Sequence, residues 1–191
     1  MKNYCWYNLK IDVKDCFLDD YKFPKVWGQY GVWHPLSATV FKKEWLMYMK
    51  EIGLPIFSTM IFYRGPYVHT AKAHVDISKV DPLTFTNFAI NWCYGGAKSE
   101  MVWYKPPKEY TPITYTSANT PYMSWDTQSL EEIERKHLNG EVSLVRTGIP
   151  HGIRMSREPR WVFSARCSLL DNLEWDKVVK LLREKNLLVE R

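Results

Sequence analysis

Short runs of apolar and aromatic residues, separated by turn residues, are the feature that most constrains the fold of this chain. Each run has the length and the β-branched and aromatic content of a strand, and the predicted strands are 54–63, 71–77, 84–93, 99–104, 111–116, 141–147 and 160–168. No helical pattern alternates with them, which argues against a sheet built from βαβ units. The sequence therefore predicts a mainly β fold with flanking helices, whose core is a jelly-roll or a barrel.

Three helices are predicted around these strands. Residues 41–52 carry apolar side chains at helical spacing, and residues 126–138 have the polar composition of a helix inserted between strands. A C-terminal helix over 171–186 would begin at Asp171, with Glu174 three residues later in a capping-box arrangement. The sequence therefore predicts strands that are bracketed by helices.

The chain of 191 residues is expected to form a single domain, 1–191, because its length suits one hydrophobic core and it has no repeat or linker. Within it, residues 1–53 would be a helical and irregular N-terminal support, with 1–36 irregular. Residues 105–140 would be an insertion, and 171–186 the C-terminal helix.

The charge and cysteine patterns limit the partners and the location that we expect. The net charge of +5 is mild and no run of like charge is present, so a nucleic-acid partner stays open but is not favoured. The 4 cysteines show no zinc-ribbon spacing, and neither a signal peptide nor a membrane-length apolar run is recognisable. We therefore expect a cytoplasmic protein without a membrane partner; its oligomeric state is left open.

The triplet His74-Val75-Asp76 is the strongest candidate for chemistry. On a strand, His74 and Asp76 at positions i and i+2 point to the same side of the sheet. A third ligand would have to come from another strand, and His151, in Ile149-Pro150-His151-Gly152, is the best-placed candidate. Two imidazoles and one carboxylate form the ligand set that holds a non-haem Fe(II) on one face and leaves the other face open.

A second group of polar residues follows His151 along the chain. If 160–168 is a strand, then Arg160, Ser164 and Arg166 share one face. An arginine and a serine hydroxyl that point into a pocket make a charge-assisted clamp for a carboxylate.

Together these motifs resemble those of the Fe(II)- and 2-oxoglutarate-dependent oxygenases, over roughly residues 54–168. The family pattern is His-x-Asp, a distal His, and an Arg about ten residues further on with a Ser or Thr on the same strand; His74, Asp76, His151, Arg160 and Ser164 match it. The run Phe62-Tyr63-Arg64-Gly65 resembles the prolyl-hydroxylase branch, in which a Tyr precedes the first ligand. Pro150-His151 together with 88–92 resembles the aspartyl/asparaginyl hydroxylase branch.

The resemblance implies a double-stranded β-helix (jelly-roll, cupin-like) core that binds Fe(II), 2-oxoglutarate and dioxygen. His74, Asp76 and His151 would be the metal ligands and catalytic residues, and Arg160 with Ser164 would hold the distal carboxylate of 2-oxoglutarate. Tyr63, Asn91 and Arg166 are further cofactor-binding candidates, although each could equally be a hydrogen-bonded polar residue of a barrel interior. The expected outcome is hydroxylation of a protein residue, an amino acid or a small molecule.

Two other classes of protein share parts of this pattern. A cupin-type metalloprotein would use the same metal ligands without 2-oxoglutarate, so that Arg160 would have no special role. A non-enzymatic jelly-roll binding or structural module would carry His74 and Asp76 incidentally and would retain no metal.

Overall fold

The structure is a computed structural model. It describes residues 4–11, 16–22, 32–65, 72–77, 85–96, 98–116, 119–138, 140–154, 156, 158–167 and 173–191. In this part of the chain the fold is mainly β, with two antiparallel sheets and two α-helices, α1 (Lys43–Glu51) and α2 (Trp175–Glu184). Neither helix has the length and apolar character needed to cross a membrane.

The larger sheet has seven strands. In spatial order they are β13 (Leu188–Val189), β1 (Trp6–Leu9), β10 (Val142–Arg146), β5 (Phe88–Gly95), β12 (Arg160–Cys167), β3 (Ile56–Arg64) and β2 (Val32–Leu36). The smaller sheet has six strands, in the order β7 (Thr114–Tyr115), β8 (Pro121–Asp126), β4 (Lys72–Asp76), β11 (His151–Arg154), β6 (Glu100–Tyr104) and β9 (Glu132–His137).

From β3 to β6, and again from β9 to β12, the chain changes sheet at almost every strand. Successive strands therefore face each other across the interior, and hydrogen-bonded neighbours come from distant parts of the sequence. Apolar side chains from the two inner faces meet there, including Phe62 and Val162 of the larger sheet and Met101 and Trp103 of the smaller one. This arrangement brings strands that are far apart in sequence to one cavity.

The outer face of the larger sheet is covered by both helices and by N-terminal residues. Met49 of α1 and Val178 and Leu182 of α2 are fully buried against it. Burial of each such side chain stabilises the fold by roughly 1.5–3 kcal/mol. Because the sheet is covered on both faces, a strand such as β12 is buried at successive residues instead of alternating, as Trp161 and Val162 show.

The outer face of the smaller sheet is covered by the residues between β6 and β9. Trp125 of β8, with Ile113 and Leu130, packs on Val75 and Ile77 at this face. The segment expected as an insertion, 105–140, thus contributes β7, β8 and β9 to the smaller sheet as well as apolar cover for its outer face.

The predicted helix over 126–138 is wrong. The chain there ends β8, makes a single 3-10 turn over Thr127–Ser129, and continues as β9 along the edge of β6. Charged residues of β9 form ion pairs with residues of the neighbouring strand β6: Arg135 lies 3.7 Å from a carboxylate oxygen of Glu100. Strand pairing therefore overrides a composition that suits a solvated helix.

The remaining element predictions are mostly confirmed. Each predicted strand range contains a strand, α1 lies within 41–52, and α2 lies within 171–186. Glu174 is the N-cap residue of α2, and the predicted cap Asp171 lies outside the described residues. The expectation that 1–36 is irregular is wrong, because this stretch contains β1 and β2.

Candidate metal centre and cavity

His74, Asp76 and His151 come together on the inner face of the smaller sheet. His74 and Asp76 lie on β4, and His151 begins the neighbouring strand β11 directly opposite His74. One ligand atom from each residue lies within 4.8 Å of the other two, and the two imidazole centroids are 4.4 Å apart. Among the described residues this is the group of histidine, cysteine and acidic side chains that could hold a metal ion.

The hydrogen bonding of His151 fixes which ring nitrogen faces the other two residues. Its Nδ1 lies 2.9 Å from the carbonyl oxygen of Ile149, which can only accept, so Nδ1 carries the proton. Nε2 is then left with a free lone pair, as a metal ligand requires. A backbone carbonyl on the second nitrogen is a common way to orient a ligating imidazole.

Arg166 holds the carboxylate of Asp76 from the larger sheet. Its Nη2 donates to Oδ2 of Asp76 at 2.5 Å, and its Nη1 donates to the Thr147 hydroxyl at 3.3 Å. The Thr147 hydroxyl in turn donates to the carbonyl oxygen of Thr86 at 2.5 Å. Oδ1 of Asp76 faces His74 at 3.6 Å and is the oxygen that remains for a metal.

The protonation states of the three residues suit metal binding. Burial, with the charges of His151 and Arg166, lowers the pKa of His74 to about 3. Burial also lowers the pKa of His151. Burial alone would raise the pKa of Asp76, but the nearby charges, that of Arg166 foremost, bring it down to about 2. At neutral pH both imidazoles are therefore neutral and the carboxylate is ionised, the state in which all three can ligate.

A cavity extends from this triad between the two sheets, and its empty space, counted together with its opening to solvent, is about 800 Å³. β12 contributes Arg160, Val162, Ser164 and Arg166 to its wall, every second residue of the strand. The predicted residues on this strand thus share one face, but they reach different parts of the cavity.

Arg160 is buried in the wall of the cavity and has no ionic partner within the part of the chain that the structure describes. The residue is 3% exposed, and its Nε and Nη1 have no hydrogen-bond partner among the described residues. Burial lowers the pKa of its guanidinium. Asn91 and Ser164 also line the cavity, on paired positions of β5 and β12, and Oδ1 of Asn91 is likewise buried without a partner. Buried polar groups of this kind are rare unless a ligand or water satisfies them.

Arg64 is a cavity residue that the sequence-based prediction missed. It lies at the end of β3, opposite Arg160 on β12, and its Nε and Nη1 are also buried, with no hydrogen-bond partner among the residues described. Its guanidinium carbon lies 4.9 Å from the ring centroid of Phe62. Burial and the charge of Arg160 lower the pKa of Arg64 to about 10. The only sequence pattern that could have indicated its orientation is its position two residues after Phe62, since on a strand this spacing places both side chains on the same face.

Lys136 was missed as well, since the sequence suggested a solvated helix at its position. It is 4% exposed and lines the cavity from β9. Its Nζ donates to Oδ1 of Asn8 at 2.8 Å and lies 3.6 Å from a carboxylate oxygen of Glu141.

Tyr63 is not brought to the cavity. It faces the helical side of the larger sheet, where its ring centroid lies 4.7 Å from that of Trp161 and its exposure is 2%. Of the other histidines, His34 lies on β2, and His137 is exposed on β9 beside Glu100. His69 lies outside the described residues.

No protein-family model matches this chain, and no curated protein is significantly similar to it in sequence. The chemistry of the site therefore has to be inferred from its own residues and their geometry.

Proposed function

We propose that this protein is a non-haem Fe(II)- and 2-oxoglutarate-dependent oxygenase. One observation carries the proposal: a single cavity joins a group of two neutral imidazoles and one carboxylate to a buried guanidinium that has no anionic partner among the residues that the structure describes. The first feature suits a divalent metal, and the second suits the distal carboxylate of a dicarboxylate cosubstrate. His74, Asp76 and His151 form the first feature, and Arg160 forms the second.

The strand order supports a double-stranded β-helix core. Eight strands, β3–β6 and β9–β12, divide into two groups of four, ordered β10-β5-β12-β3 and β9-β6-β11-β4. Each group faces the other, and the chain passes between them as a jelly-roll requires. β1, β2, β7, β8 and β13 extend this core at its edges.

The donor set fits Fe(II). Two imidazole nitrogens and one carboxylate oxygen on one side, with the cavity on the other, match the facial arrangement of non-haem iron sites with open positions. Iron bound there, with 2-oxoglutarate and dioxygen, would supply the oxidising power for hydroxylation of a C–H bond. The substrate class that we propose is a protein residue, an amino acid or a small molecule.

The side chains around the triad would position the reactants. Arg160 would pair with the distal carboxylate of 2-oxoglutarate, with the Ser164 hydroxyl and the Asn91 carboxamide beside it. Arg166 keeps Asp76 ionised and directs Oδ1 to the metal. The apolar inner core around Val162 would exclude water from the reacting groups.

Anaerobic addition of Fe(II) and then 2-oxoglutarate to the purified protein tests this proposal. We expect a visible metal-to-ligand charge-transfer band, because a ketoacid that chelates ferrous iron gives one. His74→Ala should lose the band, because two remaining ligands hold iron poorly, whereas His137→Ala, which changes an exposed histidine, should retain it.

Two results would contradict the proposal. If the protein binds iron but gives no band and no response to 2-oxoglutarate, a cupin-type metalloprotein would be the better description. If it retains no iron, manganese, cobalt or nickel, a binding or structural module would be favoured.

A further inference from the structure

Most charged side chains in the wall of the cavity are neutralised in pairs. Arg166 binds Asp76 through a direct hydrogen bond, and Lys136 lies 3.6 Å from Glu141. These four residues leave no net charge in the wall. Any excess of positive charge in the wall must therefore come from the other cationic side chains that line the cavity.

Among the described residues that line the cavity, two guanidinium groups remain, those of Arg64 and Arg160. They begin from paired positions on β3 and β12, and two nitrogens of each are buried without a hydrogen-bond partner in this part of the chain. The distal carboxylate of 2-oxoglutarate carries a single negative charge and could neutralise only one of them. A buried unpaired charge is unfavourable, so the cavity is suited to a second anionic group.

Arg64 and Arg160 differ in their position in the cavity. Arg160 is almost fully enclosed at 3% exposure, whereas Arg64 is only partly enclosed. The Arg64 guanidinium, beside the Phe62 ring, is thus the more accessible of the two to a ligand in the cavity.

We propose that Arg64 binds an anionic group of the primary substrate, so that the substrate is a small molecule that carries a carboxylate or a phosphate. This inference rests on the proposed function, because it assigns Arg160 to the cosubstrate. A small molecule suits the site because Arg64 lies between the two sheets, where a folded protein surface would not reach. The oxyanion would satisfy the free nitrogens of Arg64 by charge-assisted hydrogen bonds.

Inorganic phosphate is a suitable probe, because it has the proposed charge and fits either arginine. Its binding would be measured by titration calorimetry on the full chain loaded with Mn(II), first alone and then with saturating 2-oxoglutarate. We expect the wild-type protein to bind phosphate in both conditions. Arg64→Gln should weaken phosphate binding in the presence of 2-oxoglutarate by about tenfold or more, and change 2-oxoglutarate affinity by less than about threefold.

The other variants separate the two arginines. Arg160→Gln should show the opposite pattern, with weakened 2-oxoglutarate binding and retained phosphate binding. Arg64→Lys keeps the charge and should recover part of the phosphate affinity. Arg154→Gln is the control, because Arg154 is an exposed arginine that binds Glu100 and Glu132 away from the cavity.

Three results would overturn the inference: no phosphate binding by the wild type, complete loss of phosphate binding once 2-oxoglutarate is bound, or equal loss of 2-oxoglutarate affinity in the Arg64 and Arg160 variants. The last would place Arg64 in the cosubstrate site. If 2-oxoglutarate never binds but phosphate binding depends on Arg64, the proposed function is wrong and the anion site stands.

Discussion

Arg160 should reduce the stability of the ligand-free protein, since its guanidinium is buried without an anion. Replacing it by methionine keeps a long, flexible side chain but removes the charge and the two buried donors that lack partners. We therefore expect Arg160→Met to fold more stably than the wild type and to bind 2-oxoglutarate poorly.

The magnitudes follow from the buried donors. Each unsatisfied buried polar group lowers the free energy of unfolding by about 1–3 kcal/mol, and replacing buried charges by apolar residues often causes no loss of stability. We expect a net gain on the order of 1–3 kcal/mol, which for a chain of this size raises Tm by about 2–4 °C per kcal/mol. Loss of a charge-assisted contact of roughly 1.5–3 kcal/mol should weaken 2-oxoglutarate binding by about one to two decades.

Two measurements check this prediction. Urea unfolding without metal or 2-oxoglutarate gives the stability, and calorimetric titration of the Mn(II)-loaded protein gives the 2-oxoglutarate affinity. Arg160→Lys should recover only part of the affinity, because an ammonium lacks the planar fork of donors. Arg154→Met, at an exposed position, should leave the affinity unchanged. The reasoning is refuted if Arg160→Met is less stable than the wild type by about 2 kcal/mol or more, which would mean that Arg160 has a structural partner.

Arg166→Ala should weaken Fe(II) binding by about tenfold or more, because the carboxylate of Asp76 would lose the hydrogen bonds that orient it; calorimetry with Fe(II) under anaerobic conditions measures this. Gly96→Ala should destabilise the protein by roughly 1–2 kcal/mol in urea unfolding, because φ is +60° there, and should also weaken 2-oxoglutarate binding, because the new Cβ would lie 2.8 Å from Cβ of Arg160. The unfolding free energy of the metal-free wild type should fall as the pH drops from 6.5 towards 3. In this window the unfolded chain takes up a proton at His74 and the folded chain, with a pKa of about 3, does not; His74→Gln should flatten the dependence.

For each of these predictions, a control variant at a position away from the site separates the expected effect from a general disruption of the fold. Arg135→Ala changes an exposed arginine and should leave Fe(II) affinity as it is. Gly140→Ala also has a positive φ, +84°, but meets no atom closer than 3.7 Å, so it should cost stability without weakening 2-oxoglutarate binding. His137→Gln, at an exposed position, should keep the acid dependence of the wild type. The corresponding prediction would be contradicted if the variant and its control lost Fe(II) affinity equally, lost 2-oxoglutarate affinity equally, or showed the same acid dependence.

Prediction from the sequence was most successful where side chains alternate between the two faces of a buried strand. His74 and Asp76 were expected on one face of a strand, and they lie on one face of β4. The same reasoning could not predict which residues of β3 face the cavity, because that strand is buried on both faces and its apolar residues do not alternate. Tyr63 was predicted from the resemblance to the prolyl-hydroxylase branch, whereas Arg64, one residue further, is the side chain that reaches the cavity.

The rest depends on contacts between strands that are distant in sequence. Lys136 lies in a run of charged residues that suits a solvated helix, and only the pairing of β9 with β6 makes it a buried strand residue. The bond from Arg166 to Asp76 joins one sheet to the other over 90 positions of sequence. Neither the register of a sheet nor the distance between two sheets is encoded in a local pattern.

The position of β1 has a consequence for the order in which the protein folds during synthesis. β1 is synthesised long before its two neighbours, β10 and β13, because both lie far along the sequence. Pairing over such long separations is slow, since loop closure precedes the gain from contacts. Residues 6–9 therefore stay unpaired at one edge until β10 has been synthesised, and at the other until β13 has been synthesised. During that interval their open hydrogen-bonding groups can pair with the wrong strand.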